Sequence, residues 1–349
     1  MFVKNLRISN LLSNKKILAL VMMFISMAAA PLVSLIRFPE SPFNNNIPNS
    51  IKIKKFKREK KDNYTFTVFD VSEQKTLKLT ARELAYGIVT AEMPAWFEFE
   101  ALKAQTIAAL TYCTYEKEKN RKINPDSEYD FKINTSETLW YAPFEKKRES
   151  WGKDFKTYRK KIKKAVKEIN GEIIKDSQGR AICAMFHSMS CGKTYNYEEV
   201  FVKKEGHLGK MNYLQSVESP GDLLAPKYLF TVTFSKEEFA KLVEEKLNVH
   251  PQGENPETWV NEIQRYDSGL VKCVNISGKE FPGSVIRSAL GLRSSNFDIS
   301  WNQNKFQVIT RGYGHGVGMS QYGANYMAAN GSSCNEILAH YYPNTTIVS

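Results

Sequence analysis

An α+β fold, mixed helices and largely antiparallel strands preceded by a transmembrane helix, is what the 349-residue sequence predicts. Three observations predict it. Helix-period and strand-period stretches interleave irregularly after residue 64, with no internal repeat of the kind that builds solenoids or propellers. Several strand-like runs are joined by short polar turns, as antiparallel hairpins are. Residues 17–36 form a twenty-residue run without a charged side chain. At about 1.5 Å per residue, a helix of that length crosses a hydrocarbon core of roughly 30 Å.

The elements follow in order. Residues 1–16, with Lys4, Arg7, Lys15 and Lys16, read as a cytoplasmic basic segment, because positive flanks stay inside. Residues 17–36 are the anchor. A cleaved signal peptide competes with it, since Ser26-Met27-Ala28-Ala29-Ala30 offers small residues; Pro31 and the continuing Val33, Leu35 and Ile36 favour the anchor. Residues 37–63, Pro/Asn-rich and then Lys-rich, form a juxtamembrane stalk, and 64–349 an exported domain. Phe66, Val68, Leu77 and Leu79 predict two strands around a turn at 72–75. Thr80 and Glu83 form a capping box for a helix with Leu84, Ile88 and Ala91 on one face, which Pro94 ends soon after Glu92. A second helix starts near Glu98, with Phe99, Leu102, Thr106, Ala109, Leu110 and Cys113 at helical spacing. A mixed stretch, 120–141, leads into a basic helix at 151–169. The turn at 176–179 predicts a hairpin between 172–175 and 180–186. A strand at 228–234 precedes a helix boxed by Ser235 and Glu238. Strands at 259–266 and 270–276 flank Asp267-Ser268-Gly269. A short helix at 283–290, strands at 296–301 and 305–310, and two helices separated by Gly331 complete the chain.

Composition narrows the function classes. Lys and Arg number 49 against 37 Asp and Glu, a formal charge of +12, and the pI is about 9.2. Such a chain suits polyanionic partners. Outside a membrane, an anionic cell wall or the lipid surface is a better partner than DNA, and no nucleic-acid fold or phosphate-cradling fingerprint is present. The lysines from Lys52 to Lys61 and the basic tract 146–167 also read as plain solvated faces. A hydrophobic share of 42% excludes a wholly disordered chain. Five cysteines, at 113, 183, 191, 273 and 334, form no CxxC pair, which argues against a disulfide scaffold, a zinc ribbon and thioredoxin chemistry.

Three segments concentrate reactive residue types. In Thr90-Ala91-Glu92-Met93-Pro94-Ala95-Trp96-Phe97, a single carboxylate stands at a helix end among apolar side chains. Such a carboxyl has a raised pKa and holds a proton near neutrality, as a general acid must. Trp96 and Phe97 suit stacking on a sugar. The competing reading is an exposed helix-terminal Glu92 beside core aromatics. The second segment is Met185-Phe186-His187-Ser188-Met189-Ser190-Cys191-Gly192-Lys193-Thr194. His187 and Ser188 are candidate ligand donors there; His187 and Cys191 are too few for a metal site. Neighbouring side chains on extended backbone point to opposite faces, which argues against a His–Ser nucleophile pair. The plainer reading is a ligand-binding loop or a polar turn. The third is Arg311-Gly312-Tyr313-Gly314-His315-Gly316-Val317-Gly318-Met319-Ser320-Gln321-Tyr322-Gly323. It lacks the Lys-Ser/Thr of a phosphate loop and reads as a tight turn feeding a helix whose first turn presents polar groups suited to hydroxyls and acetamides.

Together these segments resemble the stage II sporulation protein D family, membrane-anchored lytic transglycosylases of endospore formers. The resemblance runs from about residue 81 to 343. It also rests on Glu100-Ala101-Leu102-Lys103-Ala104-Gln105 and Ser288-Ala289-Leu290-Gly291-Leu292-Arg293-Ser294. It implies a catalytic domain at 64–349 with its elements around a substrate cleft. The implied reaction cleaves glycan strands between N-acetylmuramic acid and N-acetylglucosamine, leaving 1,6-anhydro ends, with Glu92 as general acid and then base. Lys103, His187, Ser188, Ser320, Gln321 and Tyr322 are the implied substrate contacts, and His315 is either a sugar contact or a brace for its loop. The implied partners are denuded peptidoglycan strands, the amidase stage II sporulation protein P, the stage II sporulation protein M, and the membrane through the N-terminal helix; nucleic acid is not one. The implied place is the cell membrane at the sporulation septum and engulfing membrane, with the domain outside the cytoplasm. No cofactor and no structural metal are expected, since the zinc-type His and two Cys of some relatives are absent from 124–136. Leu110 replaces a usual arginine, so an arginine contact to substrate is expected to be missing, and Cys191 replaces a usual glycine. The alternative function is a non-catalytic wall-binding enhancer that recruits or activates a partner amidase.

Overall fold

A computed structural model describes residues 64–348, apart from 136–137, 170 and 202–210. The basic segment, anchor and stalk expected before residue 64 lie outside the described residues. Among those described, no helix is long and apolar enough to cross a membrane.

Strands β1 (Thr65–Asp70) and β2 (Lys75–Thr80) form the expected hairpin, pairing Thr65 with Thr80 and Asp70 with Lys75. Phe66, Val68 and Asp70 alternate inward along β1. β3 (Phe131–Ile133), out of the stretch that sequence pattern leaves mixed, adds in parallel to the other edge of β1. Helix α1 (Ala81–Glu92) opens on the capping box of Thr80 and Glu83, an arrangement worth about 1 kcal/mol. It stops at Met93, which is extended as a residue before proline must be.

α2 (Phe99–Ile123) is the central helix. Its middle, from Ala101 to Tyr115, is buried on nearly every side rather than along one stripe. α1 packs on it, as do three later helices: α3 (Phe155–Ile169), α6 (Gln321–Ala329) and α7 (Cys334–Tyr341). α3 explains the basic tract. Phe155, Ile162, Ala165, Val166 and Ile169 face the core while most of its lysines face solvent. Gly152, at φ +47°, separates α3 from a short turn of helix at Arg148–Trp151, so the single helix expected at 151–169 begins later.

The hairpin expected around 176–179 is largely replaced. β4 (Ile173–Lys175) takes β13 (Thr346–Val348) as its antiparallel partner and keeps one bridge, Lys175 to Ala181, with the chain beyond its turn. From that chain only β5 (Phe186–His187) is a strand, and it pairs in parallel with β12 (Met319–Ser320). This pairing brings the second and third motif segments side by side.

A second core is built from residues 232–308. β6 (Leu229–Phe234) joins β10 (Phe297–Asn302) and β11 (Lys305–Arg311) in the order β10-β11-β6; β7 (Val260–Arg265), β8 (Val271–Ile276) and β9 (Lys279–Pro282) form another antiparallel sheet. Helix α4 (Lys236–Leu247), capped by Ser235 and Glu238, and α5 (Gly283–Ala289) cover them. Phe239 stacks on Phe306 at 3.9 Å in its centre. Apart from β1–β3 and β5–β12, the described strand pairs are antiparallel, within a mixed α and β architecture.

Candidate active site

Glu92 is the last residue of α1, and two local features, burial and the helix end, make it hold a proton. Burial raises its carboxyl from 4.5 to about 7; the Trp140 backbone N–H, donating to Oε1 at 2.6 Å, and the charge of Lys147 work against that rise. The position also places a carboxylate at the partly negative end of a helix, where ionisation is disfavoured. Segment 138–142, which supplies the N–H, can lie on α1 because Gly87 has no side chain. A Cβ there would occupy the ring of Tyr141, and the Ala142 N–H donates to the Gly87 carbonyl at 3.1 Å. Beyond Pro94, Phe97 is fully buried and packs edge-on against Tyr322 at 4.9 Å, with Trp96 beside them and 52% exposed. Lys161 of α3 hydrogen-bonds the Trp96 and Phe97 carbonyls and fixes this turn.

The glycine-rich segment is laced to its neighbours by backbone pairs. Met189 and Tyr313 exchange hydrogen bonds, the Gly314 N–H donates to Arg293, and the Tyr322 N–H donates to Ser188. Gly318 (φ +73°) is required, since a Cβ would collide with the Met185 carbonyl. His315 receives the Val317 N–H on Nδ1 at 3.1 Å, so Nε2 carries the hydrogen and donates to the Phe186 carbonyl at 3.0 Å. Both nitrogens are engaged with backbone, which makes His315 a brace. His187 is turned the other way. Its Nδ1 faces the Val317 carbonyl at 3.2 Å and so carries the hydrogen, while Nε2 is buried with no protein partner. Burial first, then neighbouring charge, lowers His187 to about 3 and His315 to about 4, so both rings are neutral at ordinary pH.

These groups meet in an open cleft of about 920 Å³, the upper end of the size range for ligand sites. Glu92, His187, Ser188, Gln321 and Tyr322 all line it. Two predicted contacts do not. Lys103 points away from the cleft lining, pairing with Glu100 at 2.7 Å and approaching Glu168 at 3.9 Å. Ser320 is fully buried as the N-cap of α6, and its hydroxyl donates to Asp222 Oδ1 at 2.6 Å. Asp222 also accepts from the Ser190 N–H and hydroxyl, tying the two motif segments together beneath the cleft. Leu110 lies elsewhere as well. It faces an apolar cavity of about 250 Å³ with Tyr64, Phe66, Ala81, Thr114, Gly171 and Ile173, none of which lines the cleft.

Sequence reasoning missed several lining residues: Trp140 and Tyr313, 52% and 47% exposed, and the cations Lys227, Arg287 and Arg293. Arg293 lies in the family segment 288–294 and Tyr313 in the glycine segment; Trp140 carries no local signal. Among the described lining residues, Glu92 is the single carboxylate. Among the described residues, no three His, Cys, Asp or Glu side chains converge as a metal site. Cys191 instead accepts the Tyr195 hydroxyl at 3.2 Å.

Fold and site together define a protein of mixed α and β structure with an aromatic-lined cleft and, among its described lining residues, one proton-holding acid. Comparison with known proteins gives the family. A model described as SpoIID, Stage II sporulation protein, matches residues 71–175. The chain is 37% identical over 281 residues to stage II sporulation protein D of Bacillus amyloliquefaciens, covering 80% of this chain and 77% of that one. It is 36% identical over 285 residues to the Bacillus subtilis protein of the same name, covering 80% and 78%. The chain belongs to the stage II sporulation protein D family. A protein of Bacillus subtilis called amidase enhancer is 25% identical over 314 residues, which cover 75% of this chain and 40% of that protein.

Proposed function

We propose that the protein is a lytic transglycosylase that cuts peptidoglycan glycan between N-acetylmuramic acid and N-acetylglucosamine. The observation that carries this reading is Glu92, the only carboxylate among the described cleft-lining residues, raised to about 7 by burial. A hydrolase of the usual kinds needs two carboxyl groups, one as acid and one as nucleophile or base. A transglycosylase needs one. The Glu92 carboxyl donates its proton to the leaving glycosidic oxygen as the bond from the muramyl C1 breaks. The same sugar's C6 hydroxyl then bonds to C1, and its proton passes to the Glu92 carboxylate, restoring the acid. No water is consumed, and the product carries a 1,6-anhydro ring. Holding the sugar so that C6–OH reaches C1 makes the attack intramolecular. Tyr322, Trp140 and Tyr313 suit stacking against sugar faces, and the free Nε2 of His187 is an acceptor for a hydroxyl.

In this proposal, residues 17–36 hold the protein in the membrane at the sporulation septum, with 64–349 outside. Its substrate is glycan stripped of peptides by an amidase such as stage II sporulation protein P, with stage II sporulation protein M as a membrane partner. Digestion of denuded glycan followed by mass spectrometry tests the chemistry. Anhydro-muramyl ends made by wild type and absent with Glu92→Ala support it; reducing ends alone, or anhydro products persisting in the variant, refute it. A second reading, a wall-binding enhancer of a partner amidase, is favoured by the name of the amidase enhancer relative. Undiminished amidase stimulation and sporulation with Glu92→Ala would decide for it.

A further inference from the structure

The cleft lining draws on both cores. Glu92 comes from the first core, and the cation acting on it is Lys147. Arg287 and Arg293 come from the second core, at the end of α5 and the turn after it, where Ile286, Leu290 and Leu292 are buried. Arg287 influences His187, His315 and Tyr313. Its Nε reaches the Leu292 carbonyl at 3.3 Å. The Arg293 guanidinium lies 3.7 Å from the Phe230 ring centre and 5.3 Å from that of Tyr313. Both are held in place. Lys227, exposed, lines the same cleft.

What these cations lack is an acid. Among the described residues no carboxylate lies within ion-pair distance of Arg287, Arg293 or Lys227, while the neighbouring Arg311 is paired with Asp298 at 2.7 Å. The histidines beside Arg287 are neutral and bring no counter-charge. Placing two guanidinium groups in a partly desolvated wall without an anion is costly, and their planar forks match a carboxylate in two-point geometry. A bare muramyl residue carries such a group, the lactyl carboxylate on O3. When a peptide is attached, that carboxylate is an uncharged amide.

We propose that Arg287 and Arg293 form a carboxylate-reading subsite that makes the cleft prefer glycan whose muramyl carboxylates are free. The subsite rests on the glycan-cleaving reading above. Tyr322, Trp140, Tyr313 and His187 then position sugar rings, and the arginines set the register by charge. Lys227 adds attraction at the rim.

Binding rather than turnover tests it. Full-length protein carrying Glu92→Gln, in detergent, is titrated with a muramyl-containing glycan oligomer and with the same oligomer after conversion of its carboxylates to methylamides. The free acid should bind roughly tenfold or more tightly than the amide. Adding Arg287→Gln and Arg293→Gln should bring the two within about twofold, chiefly by weakening the free acid, with an unchanged urea midpoint reporting an intact fold. Equal affinity for both oligomers in the Glu92→Gln parent overturns the subsite alone. Preference that survives the arginine substitutions, or substitutions that weaken both oligomers alike, overturns it too. Binding of neither oligomer by the parent refutes the glycan reading and the subsite with it.

Discussion

Replacing Glu92 with glutamine should make the protein less active and more stable at once, with a pH dependence that identifies the cause. Burial raises this carboxyl from 4.5 to about 7. Between those values the folded chain keeps a proton that the unfolded chain has released, so wild-type stability falls as pH rises through the window. At about 1.4 kcal/mol per pH unit the shift amounts to roughly 3 kcal/mol, or nearer 2 when the solvent reaching a cleft-lining side chain is discounted. Glutamine has almost the same shape, still accepts the Trp140 N–H, and never ionises. Glu92→Gln should therefore match wild type below the lower value and exceed it by about 2–3 kcal/mol above the upper one. Urea unfolding followed by tryptophan fluorescence from about pH 4 to pH 8 measures this, the midpoint moving while the slope stays constant. In the same range, wild-type kcat/KM for glycan should decline above about pH 7, as the acid loses its proton. A stability difference that stays flat with pH, or a variant destabilised at every pH, would refute the argument that the fold itself keeps Glu92 protonated.

Three further outcomes follow from the site's supports. Asp222→Ala strands the Ser190 N–H and the Ser190 and Ser320 hydroxyls beneath the cleft, and should lower stability by about 3–5 kcal/mol in urea titration, with Asp222→Asn costing less. Gly318→Ala puts a Cβ into the Met185 carbonyl at a positive φ; a loss of roughly 2–4 kcal/mol is expected, read as a lower melting temperature. Lys103→Gln breaks a partly exposed pair with Glu100, so it should cost under about 1 kcal/mol and leave the yield of anhydro products within roughly twofold of wild type.

The parts of the fold legible in the sequence are those determined within a few residues. The boxes of Thr80 with Glu83 and Ser235 with Glu238 start their helices where expected, because each partner satisfies the other's backbone N–H locally. Gly331 ends α6 for an equally local reason. Its N–H reaches Ala328 while that of Ser332 reaches Met327, at a φ only glycine adopts cheaply. The hairpin expected after β4 fails because its competitor lies far away in sequence. Thr346–Val348 offers β4 a three-residue antiparallel ladder, and the chain after Arg180 is drawn instead toward Met319–Ser320. Propensity does not distinguish a near partner from a distant one.

The candidate site divides along the same line. Glu92 is singled out by the family motif around it, since helix end, Pro94 and apolar flank alone fit an exposed helix-terminal residue equally well. The Trp140 N–H that holds its carboxyl comes from 48 positions away, and nothing in the local pattern around Trp140 announces it. Lys103 and Ser320 show the opposite error. Both sit in motif segments, yet the turn of α2 aims Lys103 at Glu168 on α3, and the start of α6 needs Ser320 as its cap. A motif records that a residue matters, not whether it meets ligand or backbone. Leu110 makes the distinction concrete. Its departure from the family's arginine suggests a missing substrate contact, but its side chain faces the apolar cavity under Tyr64 and Phe66, and Glu92 lines a different opening. An arginine there would need to run its stem past those rings to bring its charge to water. The change therefore alters the lining of that apolar cavity, which shares no residue with the cleft that holds Glu92, Arg287 and Arg293.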